Sequence, residues 1–302
     1  MVWTLLDMWP LTGHCAYSYD CERWKTGCGC CPILSDYPAL AVDTTALLWR
    51  IKQGVYRRSE VTIVTPSRWF TEVVRQSPLL GRFRVVQIPL GLDTHVFTPL
   101  PKPAARLALG LPDDAKVIVF VAAGLAERRK GATFVFQALQ ELARAGTNHL
   151  WLMTVGPGRA VPEHTPLPYP IRHLGEISDD HILATCYSAA DVLVAPSLVE
   201  GFGQVFSEAM ACGTPCVAFE TGGVPEVVRH LETGYLARRG DALDLAKGLG
   251  LLLDDEALCL RMSARCRQVA EEEYSLELMA RRHLELYEEL LARRPPEPVA
   301  VS

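Results

Sequence analysis

The 302-residue chain has no apolar run approaching the roughly 20 residues that a membrane-spanning helix needs. Its opening, Met1-Val2-Trp3-Thr4-Leu5-Leu6-Asp7, lacks the basic start and apolar core of a secretory leader, so the expected compartment is the cytoplasm. Basic residues are not in excess: 30 Lys and Arg stand against 35 Asp and Glu, for a net charge of −5. That balance leaves no broad cationic face for nucleic acid, and any phosphate must be held locally by backbone N–H groups and one or two cations. No Asp-x-Asp pair stands in a loop, so no carboxylate-held metal is expected in the chemistry. What the chain does have is 49% hydrophobic residues and enough length for two domains.

Cysteine is abundant, and its placement divides the ten residues into two sets. Cys186, Cys212, Cys216, Cys259 and Cys266 lie singly in apolar patterns and read as core. Cys15, Cys21, Cys28, Cys30 and Cys31 crowd a loop at residues 13–32 that has aromatics and glycines but no periodicity. In a cytoplasmic chain such a crowd points to metal rather than disulfides, and Cys15, Cys21, Cys28 and Cys31 form a candidate structural zinc set. Cys28 and Cys31 have the usual two-residue gap, whereas Cys15 and Cys21 are separated by five residues, wider than usual. Cys30 or His14 could replace one ligand, and free thiols packed under tryptophans are the alternative.

The chain is organised around residues 190–215. Val192–Ala195 is a short uninterrupted apolar run, as in a parallel strand covered on both faces. A loop with Gly201 and Gly203 follows; then Val205, Phe206, Ala209, Met210 and Cys212 recur at helical spacing, with Gly213 as the C-cap. In an open α/β sheet ligands gather beyond the carboxyl ends of strands, where a helix N-terminus offers N–H groups to an anion. Gly201 and Gly203 let the backbone approach a phosphate closely. Glu200 and Glu208 flank the loop and could grip two hydroxyl-bearing groups of one ligand.

Glu200, seven intervening residues and Glu208, set between Pro-Ser-Leu-Val and Ala-Met-Ala-Cys-Gly-Thr-Pro, resemble the signature of the retaining GT-B glycosyltransferases of family 4. Thr221-Gly222-Gly223-Val224-Pro225-Glu226 resembles the family's next block. The resemblance implies an α/β fold of two Rossmann-like, doubly wound parallel-sheet domains, the N-terminal one incomplete here. It implies transfer of a sugar, with retention, from a nucleotide-diphosphate sugar to a carbohydrate or lipid-linked acceptor in cell-envelope or exopolysaccharide synthesis. Glu200 would then hold the donor sugar, Glu208 the ribose and Lys130 the donor phosphates, with Glu200 and Lys130 the catalytic pair and no cofactor for chemistry. Gly124, His173, Gly201, Phe202, Gly203 and Gln204 complete the implied donor site.

Two positions depart from the family pattern. Leu125 stands where an arginine usually follows the glycine, leaving Arg128 or Arg129 to supply a second cation. Leu6 stands where a histidine touches the sugar, and leucine has no donor for a hydroxyl. His14 could approach, although an ordinary loop role is the plainer reading. The alternative function is therefore a catalytically impaired nucleotide-sugar-binding protein.

Expected boundaries follow. The first domain is 1–98, with strands at 2–6, 61–65 and 85–88 and helices at 37–58 and after Ser67. Pro99, Pro101 and Pro103 make a stiff connector. The donor domain is 99–275, with strands at 117–121, 150–155, 171–174, 192–195 and 216–219. Its helices are 133–145, 179–189, 203–212, 225–230, 241–254 and 256–273. A helix near 276–294 crosses back to the first domain, and 295–302 is a disordered tail. Arg281-Arg282 and Arg293-Arg294 offer a peripheral contact to an anionic bilayer, with a solvated face beside Glu285, Glu288 and Glu289 as the plainer reading.

Overall fold

The computed structural model describes residues 1–158 and 167–293, so the expected tail lies outside the described residues. The chain builds two parallel sheets. The first holds β1 (Val2–Thr4), β2 (Thr62–Thr65) and β3 (Arg84–Gln87) in the order β1-β2-β3. The second holds β4 (Lys116–Val121), β5 (Leu150–Val155), β6 (Ile171–His173), β7 (Val192–Ala195), β8 (Cys216–Phe219) and β9 (Gly234–Ala237). Its order, β6-β5-β4-β7-β8-β9, reverses direction between β4 and β7, which makes that crevice the topological switch point of a doubly wound sheet.

The apolar runs of the second sheet are explained by cover on both faces. In β4 and β7, Val117, Val119, Leu193 and Ala195 enter one core while Ile118, Phe120, Val192 and Val194 enter the other. Such strands have no solvent face to mark with polar residues, hence the uninterrupted run. Cys186, Cys212, Cys216 and Cys266 are buried in this domain and Cys259 partly so.

Ten helices accompany the strands among the described residues: α1 (Thr45–Tyr56), α2 (Arg68–Arg75), α3 (Lys102–Leu109), α4 (Ala132–Arg144), α5 (Asp180–Ala189), α6 (Gln204–Ala211), α7 (Val224–Val227), α8 (Ala242–Asp254), α9 (Glu256–Glu273) and α10 (Leu276–Ala292). On α10, Leu286 packs with Val64 of the first sheet and with Ile88 just beyond β3, and Glu289 pairs with Arg84. None of these helices is long and apolar enough to cross a membrane. Of the basic pairs considered for a bilayer contact, Arg282 donates to Glu273 O and Arg293 pairs with Glu289.

Several boundaries differ from the sequence reading. Strand β1 is an edge strand, only half-buried, and stops at Thr4. Helix α1 begins eight residues after Tyr37, because Asp43 takes the N–H groups of Cys31 and Thr45 at 2.7 and 3.0 Å and fixes a loop there. Its apolar repeat faces outward: Leu47, Ile51 and Val55 are exposed, while Trp49 and Lys52 are buried. The proline-rich connector turns into α3 at Lys102, since proline is tolerated in a first helical turn. Strand β9 leaves little signal in the sequence, being four residues long and starting with glycine.

The two domains are fastened at α2. Ser67 caps that helix by accepting from Phe70 N and donates its own hydroxyl proton to Gly201 O at 2.6 Å. The Glu226 carboxylate, from the other domain, accepts from Arg68 N and Trp69 N, each at 2.8 Å. Glu226→Ala strips this cap and is expected to lower stability by about 1–2 kcal/mol, measured as a shift in the urea midpoint.

Candidate functional site

The loops that follow β4 and β7 meet at the switch point, and backbone contacts lace them together. Gly131, in the left-handed region at φ 75°, packs so closely that a Cβ there would lie 2.1 Å from Pro196 O. Leu198 N donates to Arg129 O at 2.8 Å. This lacing carries the single turn Arg128–Lys130 against Glu200. Lys130 Nζ sits 2.7 Å and Arg129 Nη1 3.0 Å from Glu200 Oε2, while Ser197 Oγ approaches the same oxygen at 3.4 Å. The other oxygen, Oε1, accepts from Tyr17 OH at 3.3 Å. The Arg129 guanidinium lies 4.6 Å over the Tyr17 ring and also pairs with Glu127 at 2.8 Å.

The Glu200 carboxyl is buried, which alone would raise its pKa, yet Lys130 and then Arg129 hold it below the ordinary carboxylate range. It is thus an anion at neutral pH. Its pairing stabilises the fold above the ordinary carboxyl pKa, and that contribution disappears as pH falls through the lowered value.

The glycine loop is held as tightly from its other side. Gly223 N donates to Glu200 O at 2.9 Å. Gly203, at φ 85°, turns the chain into α6, whose first N–H groups have no side-chain cap. Of the loop's side chains, Phe202 is buried edge-on to Tyr274 at 5.6 Å, so only its backbone is offered to the cleft, and Gln204 is exposed.

Glu208 occupies the next turn of α6. Tyr187, wholly buried, donates its hydroxyl to Glu208 Oε2 at 2.7 Å. Burial raises the Glu208 pKa, the Tyr187 hydrogen bond opposes the shift, and Asp180 adds to it. The sign is opposite to that of Glu200: the folded state favours the neutral form, so a stability cost is absent at acid pH and grows as pH rises through the raised value. Glu208→Gln is therefore expected to melt at a higher temperature than the parent at neutral pH, with the two curves converging in acid. Thermal melts across that range check this.

Gly124 lies just beyond β4 with an open face: a Cβ there would find its nearest foreign atom 3.7 Å away, on Glu127. His173 is exposed, with Nδ1 3.0 Å from Thr154 Oγ1. Leu125 is fully buried, so it belongs to the core, and Arg129 rather than Arg128 is the second cation at Glu200. Arg128 instead stacks over Tyr19. The Leu6 side chain is 59% exposed. His14 does not approach the site: its ring nitrogens face Pro38 O and Cys31 Sγ. As placed, no three His, Cys, Asp or Glu side chains among the described residues are grouped to hold a metal ion. Tyr17, Tyr187 and Ser67 carry no signal of a site role in the sequence, because each meets its partner only through tertiary contact.

Comparison with known proteins places the chain in a family. A family described as glycosyl transferases group 1 matches residues 101–269. The D-inositol 3-phosphate glycosyltransferase of Xylanimonas cellulosilytica is 34% identical over 228 residues, covering 70% of this chain and 53% of the relative. That of Thermobispora bispora is 33% identical over 244 residues, covering 76% and 55%. The chain thus spans about half the length of these relatives. Among solved structures, sucrose-phosphate synthase from Thermosynechococcus elongatus superposes with a TM-score of 0.70 at 28% identity, covering 84% of this chain and 63% of that one. Anabaena Alr3699/HepE, solved with UDP and glucose, gives 0.67 at 19% identity, covering 80% and 67%. At that identity the second likeness speaks for the fold alone, which is GT-B. With more than half of its length matched by the family and its fold shared with GT-B structures, the chain belongs to the glycosyl transferases group 1 family.

Proposed function

We propose that the crevice between the β4 and β7 loops binds a nucleotide-diphosphate sugar and that the protein transfers the sugar, with retention, to an acceptor hydroxyl. The observation that carries this reading is the buried Glu200 carboxylate with Lys130 and Arg129 on one of its oxygens, beside the uncapped start of α6. In the reaction the acceptor oxygen bonds to the anomeric carbon as the bond to the diphosphate breaks, and the departing phosphate oxygen takes the acceptor's proton. Negative charge grows on the diphosphate, so preorganised cations and N–H donors are the main catalytic need. Lys130, Arg129 and the N–H groups of residues 201–204 meet it without a metal in the chemical step. Glu200 then turns to the sugar hydroxyls and Glu208 to the ribose.

The acceptor in this reading is a carbohydrate or lipid-linked saccharide of cell-envelope or exopolysaccharide synthesis, reached by a cytoplasmic protein at the inner membrane face. One observation favours the second reading, a nucleotide-sugar-binding protein without turnover: Leu6 has an exposed aliphatic side chain and His14 is turned away. Turnover of UDP- and GDP-sugars with and without saccharide acceptors separates the two. Acceptor-dependent release of nucleotide diphosphate supports transfer; donor protection against heat without turnover supports the binding protein; neither result overturns both.

A further inference from the structure

The loop between β1 and α1 has little regular structure to hold it: two single turns, Trp9–Leu11 and Arg23–Lys25, and otherwise irregular backbone. Cys15, Cys21, Cys28 and Cys31 line one small cavity of about 20 Å³. Each of the four is an electrostatic neighbour of the other three, and no disulfide joins them. Donors already point at sulfur, Gly13 N lying 3.2 Å from Cys28 Sγ. His14 packs on the same sulfurs, with Nε2 3.2 Å from Cys31 Sγ and Nδ1 3.1 Å from Pro38 O. Residues 27–30 all lie at positive φ, a knuckle that brings Cys28 and Cys31 to the same cavity. Cys30, within that knuckle, is exposed.

A second observation is independent of the sulfurs. Lys52 is buried from α1, donates to Thr12 O at 3.0 Å and to Trp9 O, and has no carboxylate partner among the described residues. A buried ammonium with no carboxylate at ion-pair distance is costly. Cys28, Cys15 and the Asp7 carboxylate act on its charge, and the ammonium lies 3.5 Å over the Trp9 ring. Four thiolates around a divalent cation carry a net charge of −2, and Lys52 stands where that charge would be offset.

We propose that Cys15, Cys21, Cys28 and Cys31 bind one structural zinc ion, and that Lys52 is the buried counter-charge of the resulting tetrathiolate. Binding draws the sulfurs inward by side-chain rotation to Zn–S distances of about 2.3 Å and releases the thiol protons. With four protein ligands no position is open to water, so the ion holds the loop and takes no part in transfer.

The test is metal content of the full chain purified without added chelator, followed by cobalt titration of the stripped protein. About one zinc per chain, and thiolate-to-cobalt charge-transfer bands that zinc abolishes, are expected. Cys28→Ser and Cys15→Ser lose the bands, while Cys30→Ser keeps them. Lys52→Met lowers zinc affinity about 10- to 100-fold, as loss of an outer partner does, yet melts no lower than the parent once both are stripped. Should the cysteine variants fail to fold, alkylation of the parent chain with and without chelator replaces them, with four loop thiols protected only when metal is kept. Absence of zinc and cobalt binding, two disulfides in place of thiols, or full metal retention in Cys15→Ser/Cys28→Ser overturns the proposal. None of these readouts is of transfer, so they stand whether or not the chain turns over a sugar nucleotide.

Discussion

Glu200→Gln is expected to lower sugar transfer by about 10²- to 10³-fold while leaving affinity for the free nucleotide diphosphate unchanged or higher. The carboxylate is the common partner of Lys130 and Arg129, at 2.7 and 3.0 Å, in a site where all three side chains are largely shielded from water. In the donor-free protein it occupies the charge of cations that the diphosphate would use. Neutralising it frees them for phosphate but removes the acceptor that would hold the sugar hydroxyls, so binding of the product nucleotide and turnover of the donor separate. Glu200→Ala goes further, since it leaves Lys130 with no carboxylate partner among the described residues, whereas Arg129 keeps Glu127. Breaking one side of a buried ion pair costs about 3–5 kcal/mol, so this variant should also unfold at lower urea. Calorimetric titration with UDP, initial transfer rates and urea midpoints read the three effects separately. Equal loss of nucleotide affinity and of transfer in Glu200→Gln would show that the carboxylate organises the phosphate subsite instead.

Much of the second domain is legible in the chain because its signals are local. The strands at 192–195 and 216–219 coincide with uninterrupted apolar runs and that at 150–155 with a run broken only by Thr154, and the glycine loop before α6 is marked by residues that only a tight turn needs. The first domain is less legible. Its apolar repeat at Leu47, Ile51 and Val55 indicates a helix but not which face is buried, and Lys52 goes inward with its charge. Within the site, Glu200 and Glu208 stand out by spacing, and Lys130 by the family resemblance. Tyr17 does not: it is 183 residues from Glu200, inside a loop with no periodicity, and only folding brings its hydroxyl to the carboxylate. The choice between Arg128 and Arg129 is likewise undecidable from sequence, since one turn of backbone sends the first to Tyr19 and the second to Glu200.

The second large effect is expected at Gly222 and Gly223, which touch no candidate ligand group. A Cβ on Gly222 would lie 2.1 Å from Glu200 O, and one on Gly223 would lie 2.2 Å from Gly201 O. Backbone carbonyls cannot rotate aside as a side chain can, so alanine at either position must push the Glu200–Gly201 segment out of place. The pair distinguishes two causes. Gly222 is left-handed at φ 55°, so its alanine adds conformational strain of about 1 kcal/mol or more, whereas Gly223 has φ −83° and its alanine acts by collision alone. Each is expected to lose at least about 3 kcal/mol of stability, Gly222→Ala the more, and transfer should fall with the displaced carboxylate even where the protein remains folded. Gly223→Ala carries a further consequence, because its Cβ would also lie 2.8 Å from Ser67 Oγ, the hydroxyl that ties α2 to Gly201 O. Gly124→Ala is the control: the nearest foreign atom to its Cβ is 3.7 Å away on Glu127, so stability should stay within about 0.5 kcal/mol of the parent. Urea denaturation of the three variants, with transfer measured under native conditions, puts the claim at risk. If Gly223→Ala is as stable as Gly124→Ala, the Thr221–Glu226 block does not clamp the backbone of the glycine loop at Glu200 and Gly201.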